Sequence, residues 1–449
     1  MKPVFTAALI SALLFVVGCS SESSFPTPTG KGSIRAINAI DGAPTFNFLI
    51  EEVSAGTLEY KEATSPLPFD DFEYRFNFEV VLAGEVNATR VASRVQKIDA
   101  NQEYTFVLTG SIDAPNVSVW EKPERVFAEE ETDFEIQVAH LAEGFPTVDV
   151  FVAFEGTAPV VGEEVATLAF GDLMPVREFE AGDYVVTVTQ AGDPSVVVFQ
   201  SDPVTFGARN SLLVGVFAPT GNDVDPLSIV GFTSGGGSAL VTDASSSPTL
   251  RLIHSSQDIG NVDIYDDEAL TSFVASDVAF RDFSDDLPIA AGDTDLRITP
   301  AGSTETILLE GTVTINEGTR NNLIVFGTGG SYNVSSYIPD RTSVETFAKV
   351  SVFNGASNFE LIDLYAVEAG TGIQEETLAR AAAIGTGTRS STALIQTPGS
   401  YDFYATPFTE KTILAGPLTL DVARGDVIEL ILFDTVSPDM GELVQIPAP

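Results

Sequence analysis

Four stretches of this chain open in the same way, and that recurrence limits the available folds more than any other feature. Ile34-Arg-Ala-Ile-Asn38, Ile136-Gln-Val-Ala-His140, Leu250-Arg-Leu-Ile-His254 and Val350-Ser-Val-Phe-Asn354 are apolar runs that end in Asn or His. Nine residues further on, in all four, an Asn or Asp sits inside a second apolar run: Asn47 in FNFLI, Asp149 in VDVFV, Asp263 in VDIYD and Asp363 in IDLYA. The starts at 34, 136, 250 and 350 lie 100 to 114 residues apart, which is the size of whole domains and not of solenoid repeats.

Later segments recur as well. Tyr184 to Ala191-Gly192 matches Asp295 to Ala301-Gly302 and, more loosely, Tyr74 to Ala83-Gly84, whereas the run from Tyr401 to Pro407 departs most. Each unit closes on a further apolar run, such as Tyr104–Leu108 or Ile428–Phe433. Val, Thr, Tyr and Phe alternate at period two, broken by Gly, Pro, Asn and Asp, which is the pattern of short antiparallel strands. About 100 residues and roughly seven or more strands per unit predict an all-β chain of four tandem immunoglobulin-like antiparallel β-sandwich domains. The paired cysteines of antibody domains are absent, so only the general architecture carries over. The best helical composition, Glu375–Ala383, predicts two to three turns inside an inter-strand insertion.

The N-terminal residues read as an address. Lys2 precedes an uncharged run from Val4 to Val17, about 14 residues and too short for the roughly 20 of a membrane-spanning helix. Val16-Val17-Gly18-Cys19 then resembles the bacterial lipobox, in which the cysteine is diacylated and becomes the new N-terminus, and Cys19 is the only cysteine in 449 residues. Two acyl chains give stable anchoring. Ser20, where Asp would favour retention in the inner membrane, points to the outer membrane. The expected boundaries are a signal peptide at 1–18, a lipid-anchored tether at 19–33, repeats at 34–125, 132–232, 249–340 and 347–449, and a flexible Gly/Ser linker at 233–248 that separates two pairs of units.

Charge narrows the partners. With 22 Lys and Arg against 64 Asp and Glu, the chain carries a net charge of −42. Nucleic acid, which is bound by neutralising phosphates with cations, is thereby excluded, as is docking of a basic patch on anionic lipid. The remaining partners are the membrane, through the lipid, and an envelope protein or glycan.

The openings Asn38-Ala-Ile-Asp-Gly42-Ala-Pro44 and His140-Leu-Ala-Glu-Gly144-Phe-Pro146, with the VDVFV run and the later Ala-Gly turn, resemble the bacterial family called domain of unknown function 4397. The resemblance implies exported β-rich repeats over most of residues 34–446 and supplies no activity. Units three and four lack the proline, and unit one has Asn47 where Asp is expected.

Sequence alone offers three chemistries. His140 with Asp149, or His254 with Asp263 and Ser255, suggest a Ser-His-Asp hydrolase. Asn38 and Asn354 occupy the same repeat position and cannot act as a base, so a hydrogen-bonding clasp that ends the first strand and meets the aligned Asp or Asn is the better reading. No cofactor or metal site is expected, since two distant histidines and one lipidated cysteine offer zinc few ligands. The acidic loops Asp266-Asp267-Glu268, Asp285-Asp286, Asp293-Thr-Asp295 and Asn222-Asp-Val-Asp225 lack any calcium-loop pattern. Trp120, Tyr332, Tyr337, Tyr401 and Tyr404 are the aromatics that could stack on a sugar. The function expected is non-enzymatic: a cell-envelope lipoprotein displaying tandem domains for binding, adhesion or spacing, with carbohydrate binding as the alternative.

Overall fold

The computed structural model describes residues 26–447. Cys19 and its signal lie outside them. Strands account for the regular structure throughout, arranged as eight sheets, two to each repeat.

In unit one the strands are β1 (Lys31–Asn38), β2 (Phe46–Ile50), β3 (Val53–Leu58), β4 (Leu67–Asp70), β5 (Glu73–Val80), β6 (Thr89–Lys97), β7 (Gln102–Ser111) and β8 (Ala114–Pro123). They form two sheets in the orders β4-β1-β7-β8 and β3-β2-β5-β6. Units three and four repeat both orders strand for strand, and unit two adds Val204–Phe206 and Ser238–Val241 to the same plan. This is a sandwich, though its strand order differs from that of antibody domains. One pairing in each unit is parallel: β1 with β7, and its counterparts Asp133–His140 with Ser211–Phe217, Thr249–His254 with Arg320–Thr328, and Ala348–Asn354 with Val427–Asp434.

Phenylalanines fill the first core. Phe46, Phe48, Phe76, Phe78 and Phe106 are all at most 1% exposed, and the Phe48 and Phe78 rings stack at 5.0 Å. Burial of a Phe side chain is worth about 1.5–3 kcal/mol, which lets a cysteine-poor unit hold by packing.

The β1–β7 layer is apolar on both faces because it serves two cores. Ile34, Ala36, Phe106 and Leu108 point into unit one. Ile37 and Val107 point outward and meet Ala139, Leu141, Leu213, Phe217 and Phe232 of unit two. Units three and four join in the same manner through Ile253, Ile324, Phe353, Ile431 and Phe433. The molecule is therefore built from two domain pairs, each with a hydrophobic seam between the sheets that contain β1 and its counterparts.

Two expectations are corrected. The Gly/Ser-rich segment at 233–248 is no free linker: Ser238–Val241 pairs with Ser228–Thr233 as a hairpin that extends a sheet of unit two. Its glycines make the turn, with Gly236 at φ +88°, and Asp243 beyond it is buried and takes the backbone N–H of Ser245 on Oδ1 at 2.7 Å. The pairs also touch directly, since Arg341 N donates to Asn222 Oδ1 at 2.5 Å and Glu345 N to Gly42 O at 2.7 Å. The helix expected over Glu375–Ala383 does not form. Leu378 is 81% exposed, so the segment has no apolar stripe to bury. Lys411 Nζ donates to the carbonyls of Gln374 and Thr377 at 2.6 and 2.8 Å, and Ala381–Gly385 pairs with Leu361–Glu368 as a strand.

Candidate functional site

The four Asn and His positions are equivalent in space, and each closes the loop that leaves the first strand. The backbone N–H two residues on donates to the side chain: Ile40 to Asn38 Oδ1 at 2.9 Å, Ala142 to His140 Nδ1 at 3.3 Å, Ser256 to His254 Nδ1 at 3.2 Å and Ala356 to Asn354 Oδ1 at 3.3 Å. In three units the far nitrogen meets a carbonyl further along that loop. His140 Nε2 lies 3.0 Å from Pro146 O, His254 Nε2 2.7 Å from Gly260 O, and Asn354 Nδ2 2.9 Å from Phe359 O. A ring nitrogen that accepts from a backbone N–H carries no proton, so Nε2 holds the hydrogen and donates it. Both imidazoles have both ring nitrogens committed to the backbone.

The aligned acids do not meet these side chains, contrary to the expected clasp between them. They tie the second sheet instead. Asp149 takes the Thr167 hydroxyl at 2.5 Å and Gly192 N at 2.7 Å. Asp263 takes Asp277 N and Gly302 N, both at 2.7 Å, and Asp363 takes Ala383 N at 2.9 Å and Thr409 N at 3.0 Å. Asn47, shorter of acceptors, holds the Ser54 hydroxyl at 2.6 Å. Gly192 and Gly302 adopt left-handed φ of +77° and +72°, which points their N–H groups at the carboxylate, and Thr409 does so in unit four at +66°. Ser255 is likewise diverted, because its hydroxyl donates to Gly355 O of unit four at 2.8 Å. The Ser, His and Asp of the hydrolase reading thus have three separate sets of partners.

Burial pushes the His254 imidazole below its ordinary value, against the opposing pull of the Gly260 carbonyl and Asp282. A histidine depressed in the fold supplies stability above about pH 6.5, where the unfolded chain is also neutral, and loses it as pH falls through the folded value. His254→Asn, the residue already present in units one and four, should cost about 1–2 kcal/mol at neutral pH and flatten the fall in unfolding midpoint below pH 6.5. Urea titrations at pH 5.0 and 7.5 compare the two chains; an unchanged pH slope would refute the neutral, donating imidazole.

A second repeated feature escaped the reading of the sequence. The residue whose N–H donates to the clasp carbonyl is Lys61, Gly171, Arg281 or Gly387, all with φ between 68° and 88°. Its signal is the recurring aromatic-x-acid of Tyr60-Lys-Glu62, Phe170-Gly-Asp172 and Phe280-Arg-Asp282. Lys61 reaches across the seam to Asp223 at 2.5 Å, and Arg281 to Asp434 O at 2.9 Å.

A concavity lies where units one, two and four converge. It encloses about 550 Å3 between the Gly42–Thr45 loop, Tyr60, Asn222, Thr342 and Ile395, with the ion pairs Lys61–Asp223 and Lys349–Asp340 on its walls. Three of the aromatics considered for sugar stacking are drawn into packing contacts. Trp120 packs in the seam of units one and two, Tyr337 stacks on Phe353 at 5.5 Å, and Tyr404 is 6% exposed. Among the acidic loops, Asp267 accepts from the backbone N–H groups of Thr271 and Ser272, Asp293 and Asp295 each accept one threonine hydroxyl, and Oδ2 of Asp286 pairs with Arg320 and Arg341. Among the described residues no three His, Cys, Asp or Glu side chains converge as metal ligands would.

These observations define an all-β protein of four related sandwich units, in which the recurrent Asn or His and the aligned Asp or Asn are part of the scaffold. The chain belongs to the family described as domain of unknown function (DUF4397), whose model matches residues 32–151 and 248–365, together just over half of its length. Each match covers an odd-numbered unit and ends inside the second strand of the next. No curated protein matches the chain. Among solved structures, family 41 carbohydrate-binding modules from streptococcal virulence factors, described for alpha-glucan recognition, are similar at 9% identity over 44% of this chain and 96% of theirs, with a TM-score of 0.17. The Bacillus anthracis TIE protein is similar at 10% identity over 87% of this chain and 68% of its own, with a TM-score of 0.15. At these scores neither carries an inference about function.

Proposed function

We propose that this chain is a non-enzymatic cell-envelope protein whose two domain pairs are displayed from the outer membrane by a lipid on Cys19. The observation that carries the non-enzymatic half is the commitment of both nitrogens of His140 and His254 to the backbone, which leaves neither imidazole free to take a proton from a nucleophile. The lipobox-like Val16-Val17-Gly18-Cys19 supports the anchor. The hydrophobic seams support a role in display or spacing, since paired domains hold a fixed surface where free ones would tumble. Replacing Cys19 by Ala should abolish incorporation of radiolabelled palmitate and remove the protein from the outer-membrane fraction. Normal acylation and retention of that variant would overturn the anchor.

A glycan-binding reading is favoured by the cleft of about 550 Å3, which falls within the roughly 300–1,000 Å3 of small-ligand sites and mixes ion pairs, hydroxyls and apolar walls. A glycan array probed with the soluble chain beginning at Ser20 tests it, and silence on every glycan ends it.

A further inference from the structure

We propose that the seam between units one and two holds a binding site for the carboxylate group of a small ligand, gripped by Arg35 and Arg125. This goes beyond display from the envelope and does not depend on the anchor. Arg35, on β1, is only 9% exposed. Its Nε donates to Thr105 Oγ1 at 3.0 Å and its Nη1 to Thr233 O at 3.3 Å. Among the described residues no carboxylate lies within ion-pair distance of it; Glu103 acts from further away and is itself held by Lys122 at 3.2 Å. A guanidinium buried without a counter-ion is costly. Beside it lies a cavity of about 200 Å3, also lined by Arg125 and the hydroxyl-bearing residues Ser33, Thr105 and Ser234, with Glu103 and Glu124 on the wall. The Nε of Arg125 is buried without an acceptor, although its Nη2 meets Glu131 and Glu178 at 3.3 and 3.2 Å.

In unit three a carboxylate lies within electrostatic reach of the arginine at this position, whose own hydrogen bonds go to Ser284 O at 3.0 Å and Pro447 O at 2.6 Å. Ile34 pairs with Leu67 as Leu250 pairs with Leu287, so Arg251 is the counterpart of Arg35 and Asp286 that of Pro66. The Asp286 carboxylate receives Arg320 Nη1 at 2.8 Å and Arg341 Nη1 at 3.1 Å, and attracts Arg251. Burial pushes that carboxyl up, but the hydrogen bonds and charge of Arg341 and Arg320 outweigh it and hold it below the usual carboxylate range. Unit one has a proline in that place, and Pro66 is part of the wall of the cavity. The glycine turn of unit two closes over it: a Cβ on Gly236 would lie 3.0 Å from Ser65 Oγ and 3.1 Å from Pro66 Cδ. At about 30 Å3 per water molecule, the space suits an acid of a few carbons or a single uronate ring. The lining sets two arginines against Glu103 and Glu124, so in a chain of net charge −42 this cavity is locally balanced where the surface at large repels anions.

The full chain in detergent is titrated with sodium acetate, succinate, glucuronate and phosphate at fixed ionic strength against chloride, followed by calorimetry and thermal unfolding. At least one carboxylate should bind saturably, one per chain, and raise the unfolding temperature. Arg35→Gln should weaken that binding about tenfold or more. Pro66→Asp, which plants unit three's carboxylate in unit one, should raise the unfolding temperature without added acid and abolish carboxylate binding. Either variant decides the matter if the other fails to fold. Wild-type protein that binds no carboxylate beyond chloride, or binds phosphate alone, overturns the proposal, as does a folded variant that titrates like wild type.

Discussion

Replacing Gly387 by alanine is expected to destabilise the pair formed by units three and four by about 2–5 kcal/mol. Its φ of +72° alone costs an L-residue about 1–2 kcal/mol. A Cβ there would also lie 2.2 Å from Cζ of Phe326, a ring packed in the seam, and overpacking of that kind costs about 1–3 kcal/mol. Gly171 provides the control, because it holds the same position in unit two at φ +88° with no heavy atom within 4 Å of its Cβ site. Gly171→Ala should therefore cost only the backbone term, about 1–2 kcal/mol. Denaturant unfolding of both variants measures the difference, and Phe326→Leu should restore part of the loss in Gly387→Ala. Equal costs at the two glycines would mean that the seam does not crowd Gly387.

The second large effect is expected at Lys122. Its ammonium sits in the seam of units one and two, paired with Glu135 and, at 3.2 Å, with Glu103, and hydrogen-bonded to Ser211 Oγ at 2.9 Å. The three charged side chains are 12%, 7% and 18% exposed in the order Lys122, Glu135, Glu103. Lys122→Met removes the one cation and leaves a buried Glu135 whose remaining partner is the Ser211 hydroxyl at 2.5 Å, a loss of about 3–5 kcal/mol. Lys122→Met combined with Glu135→Leu should recover most of it, because an apolar pair removes the stranded charge. The measurement is the urea midpoint of the single and double variants. A single variant within about 0.5 kcal/mol of wild type would place the pair in the range of exposed salt bridges.

Much of the fold was legible in the sequence because its causes are local. Strand alternation and the four-times recurring Asn or His with an Asn or Asp nine residues on identify the units without any long-range information. What the polar residues bind was not legible. His140 and Asp149 share a repeat spacing, yet one clasps its own loop and the other ties neighbouring strands. The hairpin at 233–248 was hidden because a glycine turn and a glycine linker have the same composition. The helix at 375–383 was overstated because propensity is a weak prior, overridden here by strand pairing and by Lys411 drawing carbonyls away.

The sequence by itself determined that this is an all-β chain of four related units, each with enough apolar material to fold without a disulfide. Only the tertiary structure decided how those units combine. Alternation at period two gives a strand two faces, and where both are apolar, as with Ala36 and Ile37 on β1, the pattern does not say which core each face enters. Packing does, by placing Ile37 and Val107 against Phe217 and Phe232. The same packing takes charged residues out of water, and it leaves Arg35 beside a proline where its counterpart in unit three has an aspartate.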